Sequence, residues 1–326
     1  MMTACQAWLA DWGRWWNRFW FTPDDPALLG LMRVLVGSMV FYTHAVWTID
    51  LERFFGNAAL LPRDYRNLLG DGNSSYGLPS LLWSHFDWLP ADSWLLPVHL
   101  IGLAIIALFT VGLWTRWTGI LTALLVISYV NRTTGAQYGL DQINSFLTLY
   151  LALGPSGEFL SVDSFLARRQ GRGAVTRSVL ANIAIRLIQV HMCIVYLFAG
   201  LGKLQGDTWW NGQAIWGAVG NYEYQTLDLT WLAAHMGWVN LITYGTLFWE
   251  VSYPFLIWPR LTRPIWLAMA IAVHAGIGLA MGMITFGLIM IFGNLAFLNS
   301  ALIRRWLTRL LPPFSGSAKI VDHSAN

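Results

Sequence analysis

Residues 179–203 read VLANIAIRLIQVHMCIVYLFAGLGK, and this run decides the fold class. Between Val179 and the terminal Lys203 only Asn182, Arg186, Gln189 and His191 interrupt the apolar side chains. A helix of about 20 residues crosses roughly 30 Å of hydrocarbon, so the run is long enough to span a membrane. Seven further apolar stretches stand at about 27–49, 94–114, 117–134, 139–155, 240–258, 264–281 and 283–302. Polar residues Asn131, Arg132, Asp141, Gln142 and Asn144 crowd the junction of the third and fourth stretches, so these two either pair at the outer face or one is partly re-entrant.

Composition agrees. Of 326 residues, 56% are hydrophobic and 11% are charged, against about 25% charged in an ordinary globular protein. Twenty tryptophans suit a chain whose edges lie at the aromatic-rich membrane interface. A soluble enzyme is excluded. The net charge of +3 is small and its basic residues are dispersed, which excludes nucleic acid as a partner and leaves membrane lipids. Cys5 and Cys193 offer neither a disulfide framework nor a metal-ligand spacing, and no His or carboxylate pair stands at helical ligand spacing, so no metal is expected.

Lys and Arg set the topology. With the N-terminus inside, the inner segments hold Arg14, Arg18, Arg116, Arg168, Arg169, Arg172, Arg177, Arg260, Arg263, Arg304, Arg305, Arg309 and Lys319. The outer segments hold Arg53, Arg63, Arg66, Arg132 and Lys203. This asymmetry favours an all-α polytopic bundle of about eight spans with both termini cytoplasmic. Residues 1–26, with Trp8, Trp12, Trp15, Trp16 and Phe19 at helical spacing, form an interfacial amphipathic helix without a cleavable signal peptide. Residues 27–303 form the transmembrane domain, and 304–326 a cytoplasmic tail that is disordered after Pro313. Two outer loops are long, about 50–93 and 204–239; the second is rich in Trp and Tyr and folds back onto the outer face. Residues 156–178 read as a basic connector.

An ionisable group in hydrocarbon needs a partner or water. Arg33 and Glu250 read as structural charges, paired with each other or with buried polar groups. His44 and Asp141 also fall within or at the edge of spans, His191 reads as a core histidine, and Arg186 sits near a cytoplasmic end. His274 precedes Gly276, Gly278, Gly282 and Gly287, an open seam where a ligand can contact backbone. Lys203 ends its span at the outer side, where it either snorkels to headgroups or, partly desolvated, serves as a general base.

The stretch RLIQVHMCIVYLFAGLGKLQGDTWWNGQAIW, from Arg186 through Trp216, resembles the signature segment of the HTTM (horizontally transferred transmembrane) domain family, which includes the membrane domain of vitamin K-dependent gamma-glutamyl carboxylases. Three further pieces fall in the family's order: LLGLMRVLVG around Arg33, GLDQINSFLTLYLALGPSGEFLSVDSFL at 139–166, and HAGIGLAMGMITFGLIMI from His274. The resemblance implies that Lys203 is the base that deprotonates a hydroquinone, and that Trp209, Gly212 and His274 match family positions. The carboxylase has a catalytically important histidine at the start of the helix that here begins with Asp141, Gln142 and Asn144. Its large lumenal domain has no counterpart in these residues, so propeptide-directed carboxylation is not expected.

The reading that follows is a carboxylase-like membrane enzyme, placed in a bacterial cytoplasmic membrane, that acts on a quinone or hydroquinone at the outer face. Lys203, His274 and Asp141 are its candidate catalytic residues, with Asn144, Trp209, Gly212 and Met283 around the cofactor. Some bacterial relatives resemble SdpB-type proteins, which act with a partner in maturing a secreted peptide. The alternative is therefore a non-catalytic membrane partner whose outer loops dock a peptide or protein. A transporter is disfavoured, because no inverted repeat is visible.

Overall fold

The computed structural model describes residues 4–60, 83–133, 136–171 and 177–311. Arg63, Arg66, Arg172 and Lys319, much of the 50–93 loop and the tail after Pro313 lie outside these residues. Among the described residues the chain is all-helical, with no strand. The eight apolar stretches are helical: α2 (Ala27–Trp47), α4 (Leu95–Val111), α5 (Thr115–Arg132), α6 (Gly139–Leu153), α8 (Val179–Lys203), α11 (Met236–Leu256), α12 (Arg263–Ala280) and α13 (Ile284–Asn294). Between them lie α1 (Ala4–Phe21), α3 (Leu51–Phe55), α7 (Val162–Arg169), α9 (Asp207–Trp210) and α10 (Ala214–Val219), and α14 (Ser300–Leu310) follows.

Four helical segments, Ala27–Phe55, Asp92–Val111, Val179–Lys203 and Arg263–Ala280, are long and apolar enough to cross a membrane. A fifth is added if the pair Ile284–Phe297 and Ser300–Leu310 counts as one broken span. The stretch 283–302 is thus not one straight helix. Asn299 accepts hydrogen bonds from the backbone of Ala301 and Leu302, which starts α14 as a separate amphipathic helix.

The chain divides into two compact units, Met1–Arg186 with Asn299–Asn326, and Leu187–Leu298. In the first, α2 packs on α4, α4 on α5, α5 on α6, and α6 back on α2, a closed ring of four helices with α14 laid against α2. Arg33 of α2, fully buried, joins three parts of it. Its guanidinium donates to the carbonyls of Phe109 (2.8 Å) and Thr110 (2.6 Å) in the last turn of α4, and to Ser156 (3.1 Å) and Leu160 beyond α6. Carbonyls at a helix C-terminus lack partners within the helix, so a cation from a neighbour both bonds them and suits the dipole. Gly112 makes room: it ends α4 with φ of +76°, and a Cβ there would lie 2.5 Å from the Arg33 guanidinium. Of the two partners open to Arg33, another charge or buried polar groups, the structure supplies the second, as four carbonyls.

The connector after α6 also does more than link. Asp163 accepts from the backbone of Trp114 (2.9 Å) and Thr115 (2.7 Å) and from the Thr115 hydroxyl, capping α5. Just before the N-terminus of α2, Asp25 pairs with Arg304 of α14. The amphipathic α1 is anchored through its C-terminus, where Asn182 donates to the carbonyls of Phe19 and Trp20 (2.8 Å each) and Arg186 stacks 4.3 Å over the Phe19 ring. Trp8, Trp12, Trp15 and Trp16 stay exposed along it, the surface an interfacial helix presents to lipid.

In the second unit α11, α12 and α13 pack in sequence. The residues between α8 and α11 fold onto α11, where Val219, Leu232 and Val239 form a small core with Ile215, Trp216 and Leu229 around it.

Candidate functional site

The site is built on the last two turns of α8. Gly200 lies so close to α11 that a Cβ would meet Val251 at 2.8 Å, and this backbone approach brings the next turn of α8 beside Glu250. Lys203 Nζ stands 2.8 Å from Glu250 Oε2 and donates to Oε1 at 3.0 Å. The Glu250 side chain is 9% exposed and that of Lys203 27%, so the pair is largely buried without being sealed. Trp209, in α9, places its ring 5.3 Å from the Lys203 ammonium, a cation–π contact. Lys203 is thus engaged within the unit by Glu250 and Trp209.

Two turns before Lys203 on α8, Tyr196 is buried against Trp249 and Tyr253, with ring centroids 4.8 and 4.2 Å away. Its hydroxyl lies 2.8 Å from His274 Nε2 and accepts from Asn294 Nδ2 at 2.8 Å. Tyr253 donates to Asn294 Oδ1 at 2.6 Å. His274 is 4% exposed, and its Nδ1 has no hydrogen-bond partner among the described residues. Lys203 and His274 are within electrostatic reach of each other, as are Glu250 and Tyr196.

Lys203, Trp209 and His274 therefore come together, joined by Glu250, Tyr196 and Asn294, which the sequence reading did not place there. Gly212, with φ of +77°, is buried where a Cβ would meet the Asn240 side chain at 2.8 Å, and serves a turn. Met283 sits in the short turn between α12 and α13. The glycine seam is largely consumed by packing: a Cβ on Gly287 would run into the His274 carbonyl, and one on Gly278 would meet Ile284 at 3.4 Å. Only around Gly276 is there open space.

Asp141 and Asn144 belong to the first unit. Asp141 accepts from the Tyr138 backbone at 3.1 Å and so caps α6. Asn144 is buried, and its Oδ1 has no partner among the described residues. That unit also holds a polar cluster that the sequence reading missed except for His44. Tyr129 is hydrogen-bonded to His99 Nδ1 (2.6 Å), whose Nε2 reaches Thr48 (2.8 Å), and His44 packs edge-on against the tyrosine ring. His85 bonds Ser128 at 2.6 Å. A cleft of about 650 Å³ between Thr48–Arg53 and Asp92–Leu96 lies next to Thr48. His99 had a signal in the sequence, an ionisable group within an apolar run. Among the described residues no group of three or more His, Cys, Asp or Glu could hold a metal ion.

His85 lies outside the spans, and burial pushes its pKa down from 6.5 to about 4, against the pull of Asp87 in the other direction. The folded state then binds fewer protons than the unfolded one between these values. Stability should fall as pH drops from 6.5 to 4 and level off below, by on the order of 2–3 kcal/mol. Melting temperatures of wild type and His85→Gln, compared between pH 7 and 4.5, should converge as the acid end is approached. A difference that does not change with pH would refute this.

The pair at Lys203 has a definite chemical capacity. Moving one proton across 2.8 Å from ammonium to carboxylate turns two charges into a neutral amine and a carboxylic acid. The amine is then free to accept a proton from a bound molecule.

No curated protein and no solved structure matches the chain. A family model does: that of the HTTM domain matches residues 68–301, which include Asp141, Lys203, Glu250, His274 and Asn294, while Arg33 precedes the matched region. With four or more helices able to cross a membrane and a match over most of its length, the chain is an integral membrane protein belonging to the HTTM domain family.

Proposed function

We propose that this protein is a membrane enzyme that acts at the outer face on a lipophilic quinone-like molecule, with Lys203 as general base. In this reading the bundle has about eight spans with both termini cytoplasmic, in a bacterial cytoplasmic membrane. The observation that carries it is the Lys203–Glu250 pair, partly open and walled by Trp209. Lys203 takes a proton from a hydroxyl of the bound molecule after passing its own to Glu250. Glu250 holds that proton away from the reacting oxygen, and the aromatic walls limit water. The group that fits is flat and apolar with a polar edge, since the buried and unpartnered Nδ1 of His274 calls for a polar atom beside it. A bound hydroquinone supplies reducing power toward oxygen.

The test is oxygen uptake by the protein in lipid nanodiscs supplied with reduced menadione. In the folded fraction recovered by size-exclusion chromatography, Lys203→Ala should lower the rate per molecule by about 100-fold or more. Unchanged uptake in folded Lys203→Ala protein would end the base role.

A second reading, a maturation partner for a secreted peptide, is favoured by the exposed Trp210, Tyr222, Trp231 and Trp238 in and beside the residues between α8 and α11. A partner protein that co-purifies with Lys203→Ala but is lost on replacing Trp209 and Trp210 would support it.

A further inference from the structure

The direction of each hydrogen bond around His274 follows from one fixed point. Asn294 Nδ2 lies 2.9 Å from the carbonyl of Met290, and a carbonyl only accepts, so the atom facing it is the amide nitrogen. That orientation leaves Asn294 Oδ1 as acceptor for the Tyr253 hydroxyl. The second hydrogen of the Asn294 amide goes to the Tyr196 oxygen. Tyr196 has one proton to place, and His274 Nε2, at 2.8 Å, is its one remaining neighbour among the described residues. Nε2 must accept it. A proton on Nε2 would set two donors against the Tyr196 oxygen and strand its hydroxyl hydrogen in a buried site, at the cost of an unmade hydrogen bond.

We infer that Asn294 and Tyr196 are positioning residues that hold His274 as a neutral imidazole with its proton on Nδ1, so that the site offers a hydrogen-bond donor to a ligand oxygen. His274 then acts by donating to a carbonyl or phenolate and not as a base, which leaves Lys203 as the one proton acceptor of the pair. The tautomer rests on geometry alone; the ligand oxygen rests on the proposed function above. The orphaned Nδ1 is the observation independent of the relay, because a buried N–H without a partner is a place where an acceptor is wanted.

Nitrogen NMR of protein carrying 15N-histidine in nanodiscs separates the two neutral tautomers, and His274→Gln assigns the signal. At neutral pH His274 should carry its proton on Nδ1, and Tyr196→Phe should move it to Nε2, the form imidazoles ordinarily prefer. Tyr253→Phe removes an equal hydroxyl from the same cluster and should leave the proton on Nδ1, because Met290 still fixes the amide. A proton on Nε2 in the wild type overturns the inference, and so does an equal shift in both phenylalanine variants. Added menadione should perturb the Nδ1–H signal, and Tyr196→Phe should weaken its binding about tenfold. Equal binding by wild type and Tyr196→Phe overturns the donor role toward the ligand. An Nδ1–H tautomer in a protein that ignores menadione supports the positioning and removes the quinone reading, so the two failures are distinguishable.

Discussion

Replacing Arg33 with alanine should leave little folded protein. The guanidinium is fully buried and supplies hydrogen bonds to Phe109, Thr110, Ser156 and Leu160, drawn from two different turns of the chain. Hydrogen bonds to a charged group contribute about 1.5–3 kcal/mol each, and a stranded buried carbonyl costs about 1–3 kcal/mol. Even with partial relaxation the loss is on the order of 5 kcal/mol, comparable to the whole stability of many domains. Arg33→Lys keeps the charge but not the planar fork, so it reaches only some of the four carbonyls and should recover part of the loss. Melting in detergent, followed by size-exclusion chromatography, gives the order wild type, Arg33→Lys, Arg33→Ala. A melting temperature for Arg33→Ala within a few degrees of wild type would show that the carbonyls find other donors.

The second large effect concerns Lys203 and Glu250 taken together. Lys203→Met leaves a carboxylate that is 9% exposed without its cation and should cost about 3–5 kcal/mol. Glu250→Gln leaves a more exposed lysine facing an amide, a smaller loss, but it removes the proton's destination and should slow hydroquinone-dependent oxygen uptake by about 100-fold. The double replacement Lys203→Met with Glu250→Leu should return close to wild-type stability, because two apolar groups of similar size need no pairing. It should also be inactive. Single losses that simply add in the double variant would mean that the two side chains do not interact.

The long apolar helices were legible because hydrocarbon admits almost no polar backbone or charge, so residues such as 95–111 or 263–280 announce themselves by composition. The break between Asn294 and Ser300 was not, since it depends on single asparagines within an apolar run: one turned inward to Tyr196, the other capping α14. Lys203 stood out through its Gly-rich surroundings and the family resemblance. Glu250 was visible as a charge but assigned to structure, because its partner lies 47 residues away and no local spacing links them. Tyr196 and Asn294 carry no charge, and nothing in a span marks an uncharged polar residue as part of a relay until its neighbours are known. Asp141 shows the converse: a carboxylate at the head of a helix looks the same in sequence whether it caps that helix or faces a ligand.

The contact at Gly287 has a mechanical side. With no side chain between them, α12 and α13 meet backbone to backbone at the carbonyl of His274. The two helices close on each other again at Gly278, where a Cβ would meet Ile284 at 3.4 Å, so the hairpin is pinned at two levels as well as by its short turn. His274 sits at one of these pins. A backbone held this closely gives the imidazole a fixed base from which to keep its bond to Tyr196.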